Sequence, residues 1–286
     1  MDIKKYYSIF FKDFANGIIL DNSYNVYNRN RYIDYIEKNE INYIYSQDID
    51  MNMVAFFPKI KFLSVPQDAE NLYKLYQLEN LIGLEIFASE IDKIELNNFK
   101  YLEMLLVRGK PKNLINIQHC KNLRVLSCQQ WNLTDLYELS NIKTLISLEM
   151  FFCNNLKTLK GIECLTNLEE ICLNYCLKLR EIGSLEAISK NIKTLKIFDC
   201  NNIENLSVFN SLQNLQRLIF LSTGTKGNKI DSIGFVEKMH NLQEFVTNYK
   251  IIDKNLKPLV NVKEVEILKF YKDYNMTEND FERIVN

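Results

Sequence analysis

Seven cysteines and two histidines are the residues of this chain best suited to chemistry. Cys153, Cys176 and Cys200 recur at intervals of 23 and 24 residues. Thiolates could hold a soft metal or close a disulfide, but metal sites favour C-x₂₋₄-C pairs with histidine companions, and the one pair at that spacing, Cys172 and Cys176, has no histidine near it in the sequence. The spacing instead suits buried thiols, each a small hydrophobe with a weak S–H donor. Cys172 is the exception: its place in the pattern faces outward, so it is the cysteine expected to react with a thiol probe. His119 and His240 stand in IQHC and KMHNL, five copies of the pattern apart, too distant to share a proton. Gly224, Gly227 and Lys229 in LSTGTKGNKID hint at a phosphate cradle, yet GTKGNK lacks the hydroxyl that G-x-x-x-x-G-K-[ST] places after its lysine. Adjacent carboxylates such as Glu169 and Glu170 point to opposite faces of a strand. The sequence predicts no enzyme, no metal site and no cofactor.

The cysteines belong to a longer period. Ten copies of L-x-x-L-x-L begin at Ile60, Leu81, Leu102, Leu123, Leu145, Leu168, Ile192, Leu215, Leu242 and Val262. Of the residues at their first, fourth and sixth positions, only Thr247 is not apolar. Three residues before each copy an apolar side chain recurs, broken only at Ser189, and the residue directly before is Asn in seven of the ten. An Asn there can bond backbone groups where the chain turns into a strand. Positions four to six alternate as in a half-buried strand. Between strands the apolar spacing becomes three, as in Leu156, Leu159, Ile162, Leu165 and Leu168, which suits 3₁₀ or irregular turns. One copy cannot bury its own apolar edge, whereas stacked copies can.

On these columns, residues 57–270 resemble the leucine-rich-repeat proteins, with copies of the length found in the internalin-like and SDS22-like subclass. The resemblance implies an α/β solenoid: a horseshoe with a concave parallel β-sheet, a mostly 3₁₀ or irregular convex side, and protein recognition on the sheet. The chain departs from the internalins in its start, MDIKKYYSIFFKDF, which has no uninterrupted apolar stretch or small-residue cleavage site, and in having no sorting motif at its end. Residues 1–56 are expected to be an N-terminal cap, with a helix in NRYIDYIEKN and a degenerate first strand in INYIYS. Residues 271–286 carry Thr277 and Asp280 at capping-box spacing and predict a C-terminal capping helix.

The positions between the buried ones face the concavity. Phe87, Leu106, Arg108, Glu149, Phe151, Phe152, Tyr175, Lys196, Phe198, Ile219, Leu221 and Tyr249 form the expected partner-binding surface, because clustered exposed aromatics have the composition of a protein hot spot. Phe152 could instead turn inward, and Trp131 either fills a looser turn or lies exposed beside the patch. Glu170, Glu244 and Glu264, with Glu266 beside them, form an acidic edge able to steer a basic partner.

Thirty-five basic and 36 acidic residues cancel, which argues against a nucleic-acid surface dominated by phosphate contacts. Odd, unpaired cysteines suit a reducing compartment, and no run of 18 apolar residues is available to span a membrane. The expectation is a monomeric, non-enzymatic scaffold that docks another protein, as an inhibitor, immunity protein or effector. It is placed in the cytoplasm or delivered to another cell. An exported adhesin, an enzyme sited in the N-terminal region and a nucleic-acid binder are the alternatives.

Overall fold

The computed structural model describes residues 5–6, 16–20, 27–47, 50–67, 69–87, 93–111, 113–223 and 228–267. The capping helix expected over 271–286 lies outside them, as do Gly224 and Gly227 of the long copy. The chain forms two compact units, residues 1–129 and 130–286.

In the first unit the strands Gly17–Leu20, Tyr43–Ser46, Phe62–Val65, Gly83–Phe87, Met104–Arg108 and Val125–Gln129 pair in parallel, each with the next. In the second, Ser147–Phe151, Glu170–Asn174, Thr194–Phe198, Arg217–Leu221, Glu244–Thr247 and Glu264–Ile267 do the same. Every strand of the ten copies starts at the third position. Register is one-to-one, as in Leu148↔Ile171↔Leu195↔Leu218. The first, fourth and sixth positions of all ten copies are buried, Thr247 included. That hydroxyl is satisfied: it donates to the Phe220 carbonyl at 2.9 Å and accepts from the Tyr249 amide at 3.1 Å.

The returns between strands are short 3₁₀ turns, among them Ile117–His119, Ile162–Cys164, Ser207–Ser211 and Lys257–Leu259. The spacing of three explains them, since residues i and i+3 eclipse on such a turn; Leu156, Leu159, Ile162 and Leu165 are all fully buried. Where Ser189 breaks the column, Ile188 fills it one residue early. The Ile192 amide then reaches back four residues to Ile188, where Leu168 reaches back three to Leu165. A local α-turn absorbs the extra residue of that coil.

The Asn column acts between coils rather than within its own turn. Asn122 donates to the Lys100 carbonyl at 2.7 Å, Asn167 to Lys143 at 2.8 Å and Asn214 to Lys190 at 2.9 Å, and Asn191 makes the equivalent bond to Thr166. Each amide thus ties a coil to its predecessor, satisfying a carbonyl that the turn leaves open.

An α-helix, Arg29–Lys38, lies between the first two parallel strands of the first unit. Tyr32 and Ile36, four apart on one face, are its buried residues. Asn39 ends it by returning its side chain to the Tyr35 carbonyl at 2.8 Å.

Candidate functional site

Outward-facing residues of the second unit form three rows across the strands. Phe151, Asn174, Phe198 and Leu221 are neighbours at the seventh position. The fifth-position row runs Glu149, Cys172, Lys196, Ile219, Val246 and Glu266; the third runs Ser147, Glu170, Thr194, Arg217, Glu244 and Glu264. Neighbours within a row are about 4.8 Å apart, and rows roughly 7 Å apart, from strand spacing and rise.

The eighth position, just past the strand, controls the aromatics. Gln130, Phe152, Tyr175 and Asp199 take φ values of 52°, 55°, 53° and 52°. Each amide donates to the seventh-position carbonyl of the next coil, Phe152 to Asn174 at 2.8 Å and Tyr175 to Phe198 at 2.9 Å. A left-handed backbone costs an L-residue roughly 1–2 kcal/mol, so glycine suits the place. Gly109 occupies it in the first unit, with φ 82°. Phe152 and Tyr175 therefore hold large rings where the backbone favours none. The rings stack at 5.0 Å with 13° between planes, and Phe152 keeps 42% exposure.

Asp199 anchors this shelf from below. Its buried carboxylate accepts from the Thr223 amide at 2.6 Å, the Thr223 hydroxyl at 3.0 Å and the Ser222 hydroxyl at 3.4 Å. The Thr223 hydroxyl in turn bonds the Tyr175 hydroxyl at 3.1 Å. The start of the 27-residue coil and the aromatic pair are thereby tied to one carboxylate. Between Phe151 and Phe198, the Asn174 Oδ1 is buried without a hydrogen-bond partner.

Nine of the twelve residues expected on the binding surface fall in this unit. Phe151, Phe198, Ile219, Leu221, Tyr175, Glu149 and Lys196 are half-buried and Phe152 is exposed. Tyr249 is not on the open face. It is 5% exposed, packs on Phe220 at 4.2 Å and sends its hydroxyl to Asn201. Its coil lacks the left-handed turn, because the Tyr249 amide is taken by the Thr247 hydroxyl instead of the next coil, so the ring turns inward. Burial pushes its phenol up to about 12.

Phe87, Leu106 and Arg108 belong to the first unit. Leu106 is buried, packed with Tyr43 and Phe62 and flanked by Tyr45, Ile82 and Met104. Large side chains two and three strands away in the sheet close over it, which departs from the expected exposed position. Arg108 joins a hydrogen-bonded line: Arg108 Nε to Glu85 Oε1 at 2.6 Å, Ser64 Oγ to Glu85 Oε2 at 2.6 Å, and Ser64 Oγ with the Tyr43 hydroxyl at 2.7 Å. The guanidinium lies 5.9 Å over the Phe87 ring. Glu85 is 6% exposed, and the arginine is the charge that makes its burial tolerable.

All seven cysteines are free. Cys153, Cys176 and Cys200 are buried in adjacent coils and bond neighbouring carbonyls, Cys153 to Phe151 at 3.6 Å and Cys200 to Phe198 at 3.4 Å. The Cys176 thiol is pushed up to about 12 by its hydrogen bond with Cys153 and by burial. Cys172 is half-buried, and burial together with nearby Glu149 pushes its thiol up to about 12. That lowers its thiolate fraction, while Cys172 and Cys164 are the two cysteines that are not fully buried. Trp131 is buried. His119 and His240 are exposed and lie in different units. Among the described residues no group of three or more His, Cys, Asp or Glu could hold a metal ion, and no helix is long and apolar enough to cross a membrane.

Short parallel strands at each repeat, in one-to-one register and joined by 3₁₀ returns over a leucine-rich core, decide the architecture. The chain has a leucine-rich-repeat fold. No protein-family model and no curated protein matches the sequence. Solved structures similar to this leucine-rich-repeat chain include internalin C2 of Listeria monocytogenes, 19% identical over 75% of this chain and 83% of that one, TM-score 0.47. A leucine-rich-repeat protein of Leptospira interrogans is 15% identical over 82% and 72%, TM-score 0.42. The functional domain of InlJ from Listeria monocytogenes, described as including a cysteine ladder, is 14% identical over 71% and 53%, TM-score 0.48.

Two residues that shape the site were not singled out from sequence. Asn174 was visible as a polar residue between Phe151 and Phe198 in the seventh-position row, but Arg108, Gln129 and Asn248 are polar there too and nothing set it apart. Asp199 was visible only as the acidic residue before Cys200; its role depends on Ser222 and Thr223, more than twenty residues on.

Proposed function

We propose that this leucine-rich-repeat protein is a non-enzymatic scaffold, monomeric and cytoplasmic, that docks another protein on the exposed sheet face of its second unit. The observation that carries this reading is the Phe152–Tyr175 stack. Two rings are held at left-handed backbone positions, against local preference, beside the half-buried Phe151 and Phe198. Strained, solvent-facing aromatics add little to stability, and a preorganised shelf lowers the ordering cost of association. An inhibitor, immunity or effector role fits such a scaffold equally well.

The test is a quantitative capture from lysate of the source organism, comparing the natural chain with a Phe151→Glu/Phe198→Glu variant whose fold is verified by circular dichroism. A protein retained by the natural chain and lost from the folded variant is the expected result. Equal retention by both would move the site away from this face.

A further inference from the structure

We infer that the docked partner presents a cationic amphipathic segment, its apolar stripe on the Phe151–Phe198–Leu221 row and its lysines or arginines on the Glu170–Glu244–Glu264 row. This rests on the docking reading above and names the chemistry of the ligand. Within the three rows, five carboxylates (Glu149, Glu170, Glu244, Glu264 and Glu266) face two cations, Lys196 and Arg217. Arg217 and Glu244 are committed to each other as an ion pair, which leaves Glu149, Glu170, Glu264 and Glu266 facing Lys196, and Arg217 lies in the field of Glu170 and Glu264 as well. Glu170, Glu264 and Glu266 are exposed. The chain as a whole carries a net charge of only −1, so the acidity is a property of this face and not of the composition.

Geometry narrows the segment further. The apolar and acidic rows lie roughly 13 Å apart, four residues along a strand. An α-helix with its side chains is about 10–12 Å across. A helix laid over the middle row therefore reaches both outer rows at once. The middle row offers it a low seat of half-buried Cys172 and Ile219, with Val246 buried beside them. Lys196 is the cation in that seat, so the segment carries a neutral or acidic residue there. Asn174 Oδ1, unpartnered within the apolar row, is an acceptor that a docked lysine, arginine or hydroxyl can use once the amide swings outward. Opposite charge on the two surfaces steers the encounter and fixes its register, and the attraction weakens as salt screens it.

The experiment is selection of a random dodecapeptide phage library on the full chain, followed by fluorescence anisotropy of the enriched peptides. The expected winners carry net positive charge and apolar residues at i, i+3 and i+4. Their affinity should fall at least about tenfold between about 50 and about 300 mM NaCl, as expected for a screened contact. It should fall by a similar factor against Glu264→Lys/Glu266→Lys, a surface variant that leaves the core untouched, and be lost with Phe151→Ala/Phe198→Ala. Winners that need the two phenylalanines but are neutral or acidic, or that ignore the lysine substitutions, overturn the cationic segment and leave the docking reading standing. Winners that ignore the phenylalanines, or no face-dependent winner, overturn both. Self-association of the natural chain that Glu264→Lys/Glu266→Lys releases makes a second copy the occupant and likewise overturns the inference.

Discussion

At the scale of single residues, the second unit keeps side chains that a purely structural repeat would replace. Asn174 leaves a buried acceptor unmatched, which costs roughly 1–3 kcal/mol, while the same row accepts leucine at Leu221. Phe152 occupies a position that Gly109 shows to suit glycine. Asn174→Leu is therefore expected to raise the unfolding free energy by about 1 kcal/mol. Phe152→Gly should stay within about 1 kcal/mol of the natural chain, because relief of the left-handed backbone offsets the lost stacking. Both should weaken partner capture. Denaturant titration checks the first two statements, and a large loss of stability in either variant would make these residues ordinary core. The thiols give a pH dependence with a definite sign. Burial pushes Cys120 up to about 11 and Cys172 to about 12, against an ordinary value of 9.0. Both stay protonated in the folded chain while unfolded thiols ionise, so their contribution is complete below pH 9 and lost as pH rises toward 12. Melting temperatures followed from pH 8 to pH 11 should fall above pH 9, and less steeply in Cys120→Ala/Cys172→Ala. Parallel curves for the two proteins would refute the assignment.

At the scale of the element, the repeat depends on close approach between turns. Gly161 has φ 100°, and a Cβ there would lie 2.5 Å from the Leu136 carbonyl carbon and the Tyr137 nitrogen. Backbone of the preceding coil cannot yield as a side chain can, and the Leu136 amide is itself bonded to the Lys160 carbonyl at 2.7 Å. Gly161→Ala should cost more than about 2 kcal/mol, the sum of a strained φ and a displaced turn. Gly183→Ala is the control: nothing lies within 4 Å of its Cβ position, and it should be neutral or stabilise by about 0.5 kcal/mol through the unfolded chain. Thermal denaturation of the pair separates them, and equal costs would remove the packing argument. What could be read in the sequence follows the same division. Strand positions were legible because each depends on alternation within six residues, and the 3₁₀ returns because three-residue spacing is equally local. Which outward positions stay open was not. Leu106 and Ile219 share the fifth position, yet Tyr43 and Phe62, three and two strands away in the sheet, close over the first. Phe152 and Tyr249 share the eighth position, and the turn that separates them depends on whether a hydroxyl at Thr247 captures the amide. The Gly17–Leu20 strand was hidden because the helix Arg29–Lys38 stretches the spacing to the next strand beyond the common period.

At the scale of the whole molecule, stability belongs to neighbouring coils and not to any one of them. Each strand of the second unit buries its fourth- and sixth-position side chains against the strands beside it, and the Asn bonds tie each turn to the one before. A coil deprived of its neighbours has no core, so a solenoid unfolds as a nearest-neighbour array. A fault in one coil is therefore shared. Leu195 is fully buried between Ile171 and Leu218, and Leu195→Ala should cost about 2–5 kcal/mol, the usual range for a core leucine with its cavity. Hydrogen exchange would show how the loss is distributed. If coils are coupled as the register implies, amides of Glu170–Asn174 and Arg217–Leu221 lose protection by nearly the same free energy as those of Thr194–Phe198. A loss confined to Thr194–Phe198 would mean coils that open alone, and a shelf spread over Phe152, Tyr175 and Asp199 could not then be held rigid before a partner arrives. Coupling between coils is thus the physical condition for a preorganised docking face, and this substitution tests it without touching that face.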